Sequence, residues 1–345
     1  MASMVNVQEV AKGATIPIPQ QFDRSDEQLL SLSSTSPLPA TTPTIDMARL
    51  VCGDLDELQK LHSTCKDWGI FQLVNHGVRS ALLEKVKDGV EEFFKLPLEE
   101  KMKFKMREGE QEGYGCRKRG EGKYDWVDSF NIVTNPLHRR KPHLFPELPS
   151  TLRDPLECYL GELQKLGTQL LNLMARALGI EKKEMMELCD DGMQAVRLAY
   201  YPPCPNPELV MGLTPHSDIT LITFLHQVNG VDGLEIKRDG LWFPLSFNPH
   251  VFVVNVGDIL EIFSNGAYQS IEHKVSANKE KERITIAFSV NAKLEAEIGP
   301  SKTLTNNPRP PLFRRVGMEQ YLQDFFSRKL NGKSYLEHMK IQHSA

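Results

Sequence analysis

The sequence lacks the cysteine pattern of a disulfide framework or of a structural zinc site. Its six cysteines are scattered through 345 residues, and no two of them form a C-x-x-C pair. A chain of this length, with 40% hydrophobic residues, buries enough apolar surface to fold without cross-links. The cysteines therefore predict free thiols in a reducing compartment, and the cytoplasm is the expected location.

Long apolar runs and an excess of one charge are also missing. No stretch has the length and hydrophobicity of a membrane span, and the N-terminal residues lack the basic and apolar regions of a signal peptide. The formal net charge is -4, and basic residues dominate no long region. We therefore expect no membrane and no nucleic-acid partner, and we expect a monomer that binds small molecules.

Composition divides the chain into successive regions. The first region is rich in Ser, Thr and Pro, so it is expected to pack loosely on the body. The predicted regions are an extended lead-in at 1–43, an N-terminal region at 44–150, a long helix and a short helix at 151–194, a β-rich core at 195–295, and a C-terminal helix and tail at 296–345.

Periodicity predicts a mixed α and β fold. Apolar residues recur at helical spacing in four segments, which are Leu55–Trp68, Ala81–Phe94, Pro149–Leu178 and Val316–Leu330. From Ala195 onward, short apolar strands alternate with Gly and Asn or Asp turns, which predicts two sheets or a flattened barrel. Leu260–Ser264 is predicted as one of these strands. The last helix is expected to pack on the body rather than to cover the barrel mouth or form a subunit contact.

A His-Ser-Asp motif, His216 to Asp218, gives the first indication of chemistry. Side chains alternate between the faces of a strand, so His216 and Asp218 are expected on the same face. His273 is the candidate third ligand because it lies in a β-branched run that turns and returns as a second strand. Two imidazoles and one carboxylate leave the opposite side of a metal open, which suits iron(II). These three residues are the predicted metal ligands and catalytic residues.

Arg283 and Thr285 lie on the returning strand and are expected to share a face. A planar guanidinium matches a carboxylate with two parallel hydrogen bonds, and a hydroxyl adds a third. His273 and Arg283 are ten positions apart in the sequence. A metal site beside a carboxylate anchor indicates a chelating keto acid.

These residues make the chain resemble the plant iron(II)/2-oxoglutarate-dependent dioxygenases. The resemblance rests on the HSD motif, the histidine after it, the R-x-T pair, and the segments WGIFQLVNHGV and AYYPPCP. It is greatest to the subgroup of codeine O-demethylase and thebaine 6-O-demethylase. It implies a double-stranded β-helix, or jelly-roll, core with an N-terminal helical region and a C-terminal helix.

The resemblance also implies Fe2+ as the metal, 2-oxoglutarate as cosubstrate and ascorbate as reductant. It assigns Arg283 to the distal carboxylate of 2-oxoglutarate, with Thr285, where relatives carry Ser, and Tyr201 as further contacts. Relatives usually read NYYPPCP where this chain has Ala199, which removes one possible polar contact. The implied reaction is hydroxylation or O-demethylation of a small specialised plant metabolite, coupled to decarboxylation of 2-oxoglutarate to succinate and CO2.

Residues near the metal are expected to select the substrate. By resemblance, the GYG loop at Tyr114 and the strand with Phe130 border the substrate entrance, although Tyr114 is equally compatible with a packing role. Differences from the common family pattern at His226 and at Phe288 and Ser289 indicate a distinct substrate. A pocket with few charges is expected to take a neutral or weakly polar aromatic or terpenoid metabolite, such as an alkaloid, a flavonoid or a terpenoid. These five residues are the predicted substrate contacts.

Two alternatives use the same ligand set. A metal-binding jelly-roll protein without turnover keeps the barrel, and a zinc-type hydrolase also uses two histidines and a carboxylate. The hydrolase has no evident need for Arg283, and HSD lacks the helical H-E-x-x-H geometry. A further histidine, His76, has no second ligand at useful spacing and is expected to be a hydrogen-bonded turn residue.

Overall fold

The computed structural model describes residues 5–13, 18–25, 42–116, 118–119, 122–247, 250–305, 310–328 and 332–342. Within them the helices are α1 (Val7–Lys12), α2 (Met47–Val51), α3 (Leu55–Asp67), α4 (Ser80–Lys95), α5 (Leu98–Met102), α6 (Ser150–Leu178), α7 (Lys182–Cys189), α8 (Asp258–Phe263), α9 (Lys302–Thr305), α10 (Met318–Ser327) and α11 (Ser334–Met339). None of these helices is long and apolar enough to cross a membrane.

Strands form two main sheets with short ribbons beside them. The strands are β1 (Thr44–Asp46), β2 (Ile70–Val74), β3 (Gly113–Gly115), β4 (Lys118–Arg119), β5 (Lys123–Tyr124), β6 (Asp128–Asn135), β7 (Gln194–Tyr201), β8 (Leu213–His216), β9 (Ile222–Gln227), β10 (Leu234–Arg238), β11 (Leu241–Pro244), β12 (Phe252–Val256), β13 (His273–Val275), β14 (Arg283–Val290), β15 (Glu297–Ile298) and β16 (Val316–Gly317). The large sheet has the order β1-β2-β12-β9-β14-β7-β6-β3, and the small sheet has the order β11-β10-β13-β8.

The two sheets pack face to face and form the jelly-roll core that was predicted. Their inner faces share one apolar cluster, to which the large sheet gives Ala199 and Val253 and the small sheet gives Leu234 and Val275. The outer face of the large sheet packs on the helices, chiefly on α6. Each strand of the large sheet therefore has an inner set of side chains and a helix-facing set, which alternate along its sequence.

Helices α4 and α6 cross closely at Gly89. A methyl group there would lie 2.8 Å from the carbonyl oxygen of Thr151 and 2.9 Å from the Cα of Leu152. We expect Gly89→Ala to lower the free energy of unfolding by about 1–3 kcal/mol, because overpacking against backbone exceeds the gain of about 1 kcal/mol in helix propensity. Denaturant unfolding followed by circular dichroism measures the change.

Gly161 in α6 is the matched control, since nothing lies within 4 Å of the position that its Cβ would occupy. We expect Gly161→Ala to stabilise the protein by about 0.5–1 kcal/mol through helix propensity alone. Equal effects of the two substitutions would contradict the close crossing.

The described parts of the lead-in pack tightly, contrary to expectation. Backbone N–H groups of Val7 and Gln8, at the start of α1, donate to the buried carboxylate of Asp128 at 2.9 and 2.8 Å. Phe22 is fully buried and meets Trp126 edge to face. Sequence composition missed these contacts because they pair isolated residues with partners that are distant in the chain. The Ser- and Pro-rich stretch at 26–41 lies outside the described residues.

A second correction concerns Leu260–Ser264, which was predicted as a strand. Residues Asp258–Phe263 form helix α8, and each of the six is buried. A short run that is buried on all sides has no clear apolar periodicity to separate a strand from a helix. His76 does meet its expectation, because its Nε2 lies 3.1 Å from the carbonyl oxygen of His250 and its Nδ1 accepts from the Val78 N–H.

Candidate active site

Two neighbouring strands of the small sheet bring the predicted histidines together. His216 on β8 is directly opposite His273 on β13, and their ring centroids are 4.3 Å apart. The Nδ1 of His216 lies 2.8 Å from the carbonyl oxygen of Thr214, and the Nδ1 of His273 lies 3.1 Å from that of Ile271. These hydrogen bonds fix the protonated nitrogen, so each Nε2 presents its lone pair to a metal.

Asp218 completes the cluster from just beyond the strand. Its Oδ1 lies 3.8 Å from the Nε2 of His216 and 3.7 Å from the Nε2 of His273. Because β8 ends at His216, Asp218 reaches this point from a turn and not from the predicted strand. The three ligand atoms lie within 4.8 Å of one another, and no other group of three such side chains was found among the described residues. Two imidazoles and a carboxylate fit an iron(II) ion.

The carboxylate of Asp218 is held in its ionised form. Burial raises its pKa, but the facing imidazoles of His273 and His216 and the amide of Asn255 outweigh burial, so the net pKa lies below its ordinary value. The Nδ2 of Asn255 donates to the Oδ2 of Asp218 at 3.1 Å. Asp218 therefore has one oxygen that is oriented by the protein and one that faces the histidines.

Helix α8 fixes the backbone of the same turn. The N–H of Asp258 donates to the carbonyl oxygen of Asp218 at 2.7 Å, and the hydroxyl of Ser217 donates to the Asp258 carboxylate at 3.0 Å. Burial raises the pKa of Asp258 to about 7. Asn255 and Asp258 were not predicted from the sequence, because nothing in their local pattern marks them as neighbours of residue 218.

Asn255→Ala is expected to weaken iron(II) binding by about 10-fold to 100-fold, because Asp218 loses the hydrogen bond that orients it. Titration of the metal-free protein with iron(II) under argon measures the dissociation constant. Asn131→Ala is the control, since the Asn131 amide donates to Ser129 and not to the cluster. Equal iron affinity in wild type and Asn255→Ala would contradict this role.

Arg283 lies inside the barrel and is almost completely buried. Its Nε donates to the carbonyl oxygen of Val231 at 3.2 Å, and its guanidinium carbon is 5.2 Å from the ring centroid of Tyr201. Its Nη2 is buried and has no hydrogen-bond partner among the described residues. Burial lowers the pKa of the guanidinium, and a buried cation of this kind calls for an anion. A carboxylate of 2-oxoglutarate fits this position.

Register places the other predicted cosubstrate contacts beside Arg283. Tyr201 is directly opposite Arg283 across β7 and β14. Thr285, two residues along β14, is buried on the same inner face and is directly opposite Ala199. Because the side chain of Ala199 has no polar atom, Thr285 carries the hydroxyl of this pair.

A cavity of about 870 Å³ opens from the cluster. His216 and Asp218 lie in its wall, together with residues of β6, β7 and β14, the loop around residues 109–112, and α10. Helix α10 buries Met318 and Tyr321 against the body, while its Leu322 and Phe325 line the cavity. The expectation that this helix only packs on the body is therefore incomplete, because it also covers the cavity.

Of the predicted substrate contacts, Ser289 lines this cavity, whereas Phe288 does not. Consecutive residues of a strand point to opposite faces, so Phe288 packs in the helix-facing core. His226 lies on that helix-facing side as well, between Tyr159 and Phe252. Burial there lowers the pKa of His226 to about 4. The assignments of Phe288 and His226 as substrate contacts are corrected.

Tyr114 and Phe130 are also corrected. They are directly opposite each other on β3 and β6 and are fully buried in the helix-facing core. Phe130 stacks on Phe93 with a centroid distance of 5.2 Å, and the Tyr114 hydroxyl accepts a hydrogen bond from Asn6 at 2.7 Å. The packing role left open for Tyr114 is the one that the structure shows.

Comparison with known proteins agrees with this geometry. A sequence profile of the 2OG-Fe(II) oxygenase superfamily matches residues 192–292, and a profile described as non-haem dioxygenase in morphine synthesis N-terminal matches residues 42–148. The chain is 45% identical to oxoglutarate-dependent flavonoid 7-O-demethylase 1 of Ocimum basilicum, over 98% of this chain and 91% of that protein. It is 44% identical to codeine O-demethylase of Papaver somniferum, over 98% and 96%.

Among solved structures, the chain is similar to the crystal structure of JOX2 in complex with 2OG, Fe and JA. The TM-score is 0.87 and the sequence identity is 32%, and the alignment covers 98% of both chains. The similarity therefore extends over both sheets and the helices around them.

Proposed function

Because the chain belongs to the 2OG-Fe(II) oxygenase superfamily, and is thus a 2-oxoglutarate-dependent dioxygenase and an oxidoreductase, we propose that it hydroxylates or O-demethylates a small specialised plant metabolite. The observation that carries this proposal is the cavity, which shares His216 and Asp218 with the metal cluster. O-Demethylation is favoured, since relatives of 45% and 44% identity are named for it. The expected substrates are an alkaloid, a flavonoid or a terpenoid.

We assign iron(II) to His216, Asp218 and His273, and 2-oxoglutarate to Arg283, Thr285 and Tyr201. When bound, iron and 2-oxoglutarate supply the oxidation of a C–H bond by dioxygen, coupled to decarboxylation of the keto acid to succinate and CO2. Ascorbate is the proposed reductant that keeps the iron ferrous. The core at 195–295 provides all of these residues, and the regions at 44–150 and 296–345 complete the cavity.

The residues of the chain bind and orient the reactants. Asp218 and the two histidines occupy one side of the metal position and leave the cavity side for substrate. Arg283 pairs with the distal carboxylate of 2-oxoglutarate and so directs its keto acid end towards the cluster. Apolar inner-face residues such as Leu234 and Val275 keep water away from this polar row, which strengthens its hydrogen bonds.

The outcome depends on which carbon the cavity places beside the cluster. Hydroxylation of an aryl O-methyl carbon gives a hemiacetal, which collapses to a phenol and formaldehyde. Hydroxylation of a ring or chain carbon gives a stable alcohol. One site therefore supports both reactions, and substrate orientation decides between them.

The test is a metabolite panel with the purified protein, iron(II), ascorbate and 2-oxoglutarate. Each methoxylated compound is paired with its demethylated analogue, and succinate, formaldehyde and product mass are measured. Succinate and formaldehyde that rise together with a methoxylated compound support O-demethylation, whereas a product heavier by one oxygen supports hydroxylation. A hydrolase would give products without succinate, and a binding protein would give none.

A further inference from the structure

Strand β8, which carries His216, lies at the edge of the small sheet, with β13 as its neighbour. The register between the two strands shifts between His273 and Val275, so residues 214 and 215 lie in a bulge. Pro215 has no N–H to contribute to the pairing. The carbonyl oxygen of Thr214 nonetheless accepts the hydrogen bond from the Nδ1 of His216 at 2.8 Å. The sheet alone therefore does not fix the group that orients this predicted metal ligand.

The carboxylate of Asp125 supports this bulge from outside the sheet. Its Oδ1 accepts the backbone N–H of Thr214 at 3.1 Å and the hydroxyl of Thr214 at 2.6 Å. The next residue, Trp126, donates its backbone N–H to the carbonyl oxygen of Met211 at 2.7 Å. Asp125 is 2% exposed, so its hydrogen bonds are shielded from water and are stronger than at the surface. One carboxylate oxygen therefore holds the residue whose carbonyl orients His216.

Arg24, in the described part of the lead-in, is the counter-ion of Asp125. Its Nη2 lies 3.3 Å from the Oδ1 of Asp125 and donates to the hydroxyl oxygen of Thr214 at 3.1 Å. Its backbone N–H donates to the carbonyl oxygen of Leu209 at 2.8 Å. Arg24 is 4% exposed, and burial of a carboxylate without a nearby cation is costly. The guanidinium therefore stabilises the carboxylate at the position where it holds Thr214.

The location of these contacts favours a role at the metal over simple attachment of the lead-in. Attachment is already provided elsewhere, by the α1 N–H groups that bond to Asp128 and by Phe22 against Trp126. Arg24 and Asp125 instead both bond to the hydroxyl of one residue, two positions before His216. A network that converges on the support of a metal ligand is expected to affect that ligand.

We propose that Asp125 and Arg24 are positioning residues for iron(II), which act through Thr214 to hold the imidazole of His216 in the orientation that binds the metal. The inference rests on the proposed function, since it takes His216 as an iron ligand. It gives the lead-in a part in metal binding, although none of its described residues lines the cavity.

The first test replaces the ion pair as a unit, in the variant Arg24→Met/Asp125→Leu, which leaves no buried charge unpaired. The metal-free protein is titrated with iron(II) under argon. We expect the affinity to fall by about 10-fold to 100-fold, because the N–H of Thr214 loses its acceptor and its carbonyl is no longer fixed. Arg140→Met/Glu157→Leu is the matched control and is expected to keep wild-type affinity, since this pair joins residue 140 to helix α6 at 2.9 Å.

The second measurement reports on the imidazole itself. Protein labelled with 15N-histidine is saturated with zinc(II), a diamagnetic ion that also binds imidazole and carboxylate ligands. NMR then measures the exchange of each ring Nδ1–H proton with water. In the ion-pair variant, the proton of His216 is expected to exchange at least about 10-fold faster than in wild type. The proton of His273, which bonds to the carbonyl oxygen of Ile271, is expected to exchange at the wild-type rate.

Thr214→Val tests the same connection with both charges in place. Valine has the shape of threonine but lacks the hydroxyl. We therefore expect iron(II) binding to weaken by about 2-fold to 10-fold, which corresponds to the net contribution of one hydrogen bond. Thr214→Ser restores the hydroxyl and is expected to bind iron(II) as wild type does. This pair of variants decides the question if the ion-pair variant does not fold.

Unchanged iron affinity and unchanged His216 exchange in the ion-pair variant would overturn the proposal. An equal loss of affinity in the control variant, or equal acceleration of exchange at His273, would indicate a general loosening of the fold and would also overturn it. Failure of the proposed function has a different signature. If His216→Ala binds iron(II) as tightly as wild type, the ligand set is wrong and the positioning role falls with it. If His216→Ala loses iron while the ion-pair variant and Thr214→Val retain it, the ligand set stands and the positioning role is rejected.

Discussion

His273→Ala is expected to reduce substrate-dependent succinate formation below about 1% of wild type. Loss of a residue that merely orients a ligand weakens metal binding by about 10-fold to 100-fold, and loss of the ligand itself has a larger effect. His273 lies directly opposite His216 on the neighbouring strand, and among the described residues no further histidine belongs to this cluster. Iron content after gel filtration and succinate formation with the best panel substrate measure the result.

His76→Ala is the matched control for this prediction. His76 bonds to the carbonyl of His250 in a turn and is not part of the cluster. We expect this variant to keep its iron and its activity. If His273→Ala binds iron as wild type does and forms succinate at a comparable rate, then the metal is held elsewhere and the proposed ligand set is wrong.

Arg283→Met is expected to raise the KM for 2-oxoglutarate by about 30-fold to 5,000-fold. Truncation of one partner of a buried charge pair removes roughly 2–5 kcal/mol of binding free energy. The KM for the organic substrate is expected to change little, because Arg283 belongs to the row of Tyr201 rather than to the cavity wall. Steady-state kinetics with each substrate varied in turn separates the two effects.

Arg283→Met is expected to weaken cosubstrate binding without lowering the stability of the fold. The Nη2 of Arg283 has no partner within the described residues, so replacement by an apolar side chain of similar length is expected to leave the melting temperature without ligands unchanged or raise it. Arg238→Met, at the surface arginine over the ring of Trp68, is the control for general effects on activity. An unchanged KM for 2-oxoglutarate in Arg283→Met would exclude Arg283 as the cosubstrate anchor.

The jelly-roll core was predicted correctly, and the side chains of His216, Asp218 and His273 do lie together, for a physical reason. His216 and Asp218 are two residues apart, so short-range geometry limits their separation whether they lie in a strand or in a turn. His273 and Arg283 sit in adjacent strands of the chain, β13 and β14, and their β-branched surroundings indicate buried strands. The pairing of β8 with β13 joins distant parts of the chain, so local patterns did not bring His273 to His216. The combination of motifs and the family resemblance supplied that prediction.

Substrate contacts were predicted less well because their positions depend on strand parity. Phe288 and Ser289 are consecutive residues of one strand, so only one of them can face the cavity. Alternate residues of a strand share a face, so on β7 the inner face that includes Tyr201 also includes Arg197. On β14 the inner face that includes Arg283 also includes Ser289. The helix-facing role of His226 has no such local signal, since a buried histidine in an apolar strand is compatible with either face.

The residues assigned to iron and 2-oxoglutarate and the outer wall of the cavity belong to different secondary structures. All the residues assigned to iron and 2-oxoglutarate come from the two sheets or the turn beside them, whereas α10 and the loop around residues 109–112 form the outer part of the cavity wall. Mutations in that helix or loop can reshape the space for the organic molecule without disturbing the oxidising machinery.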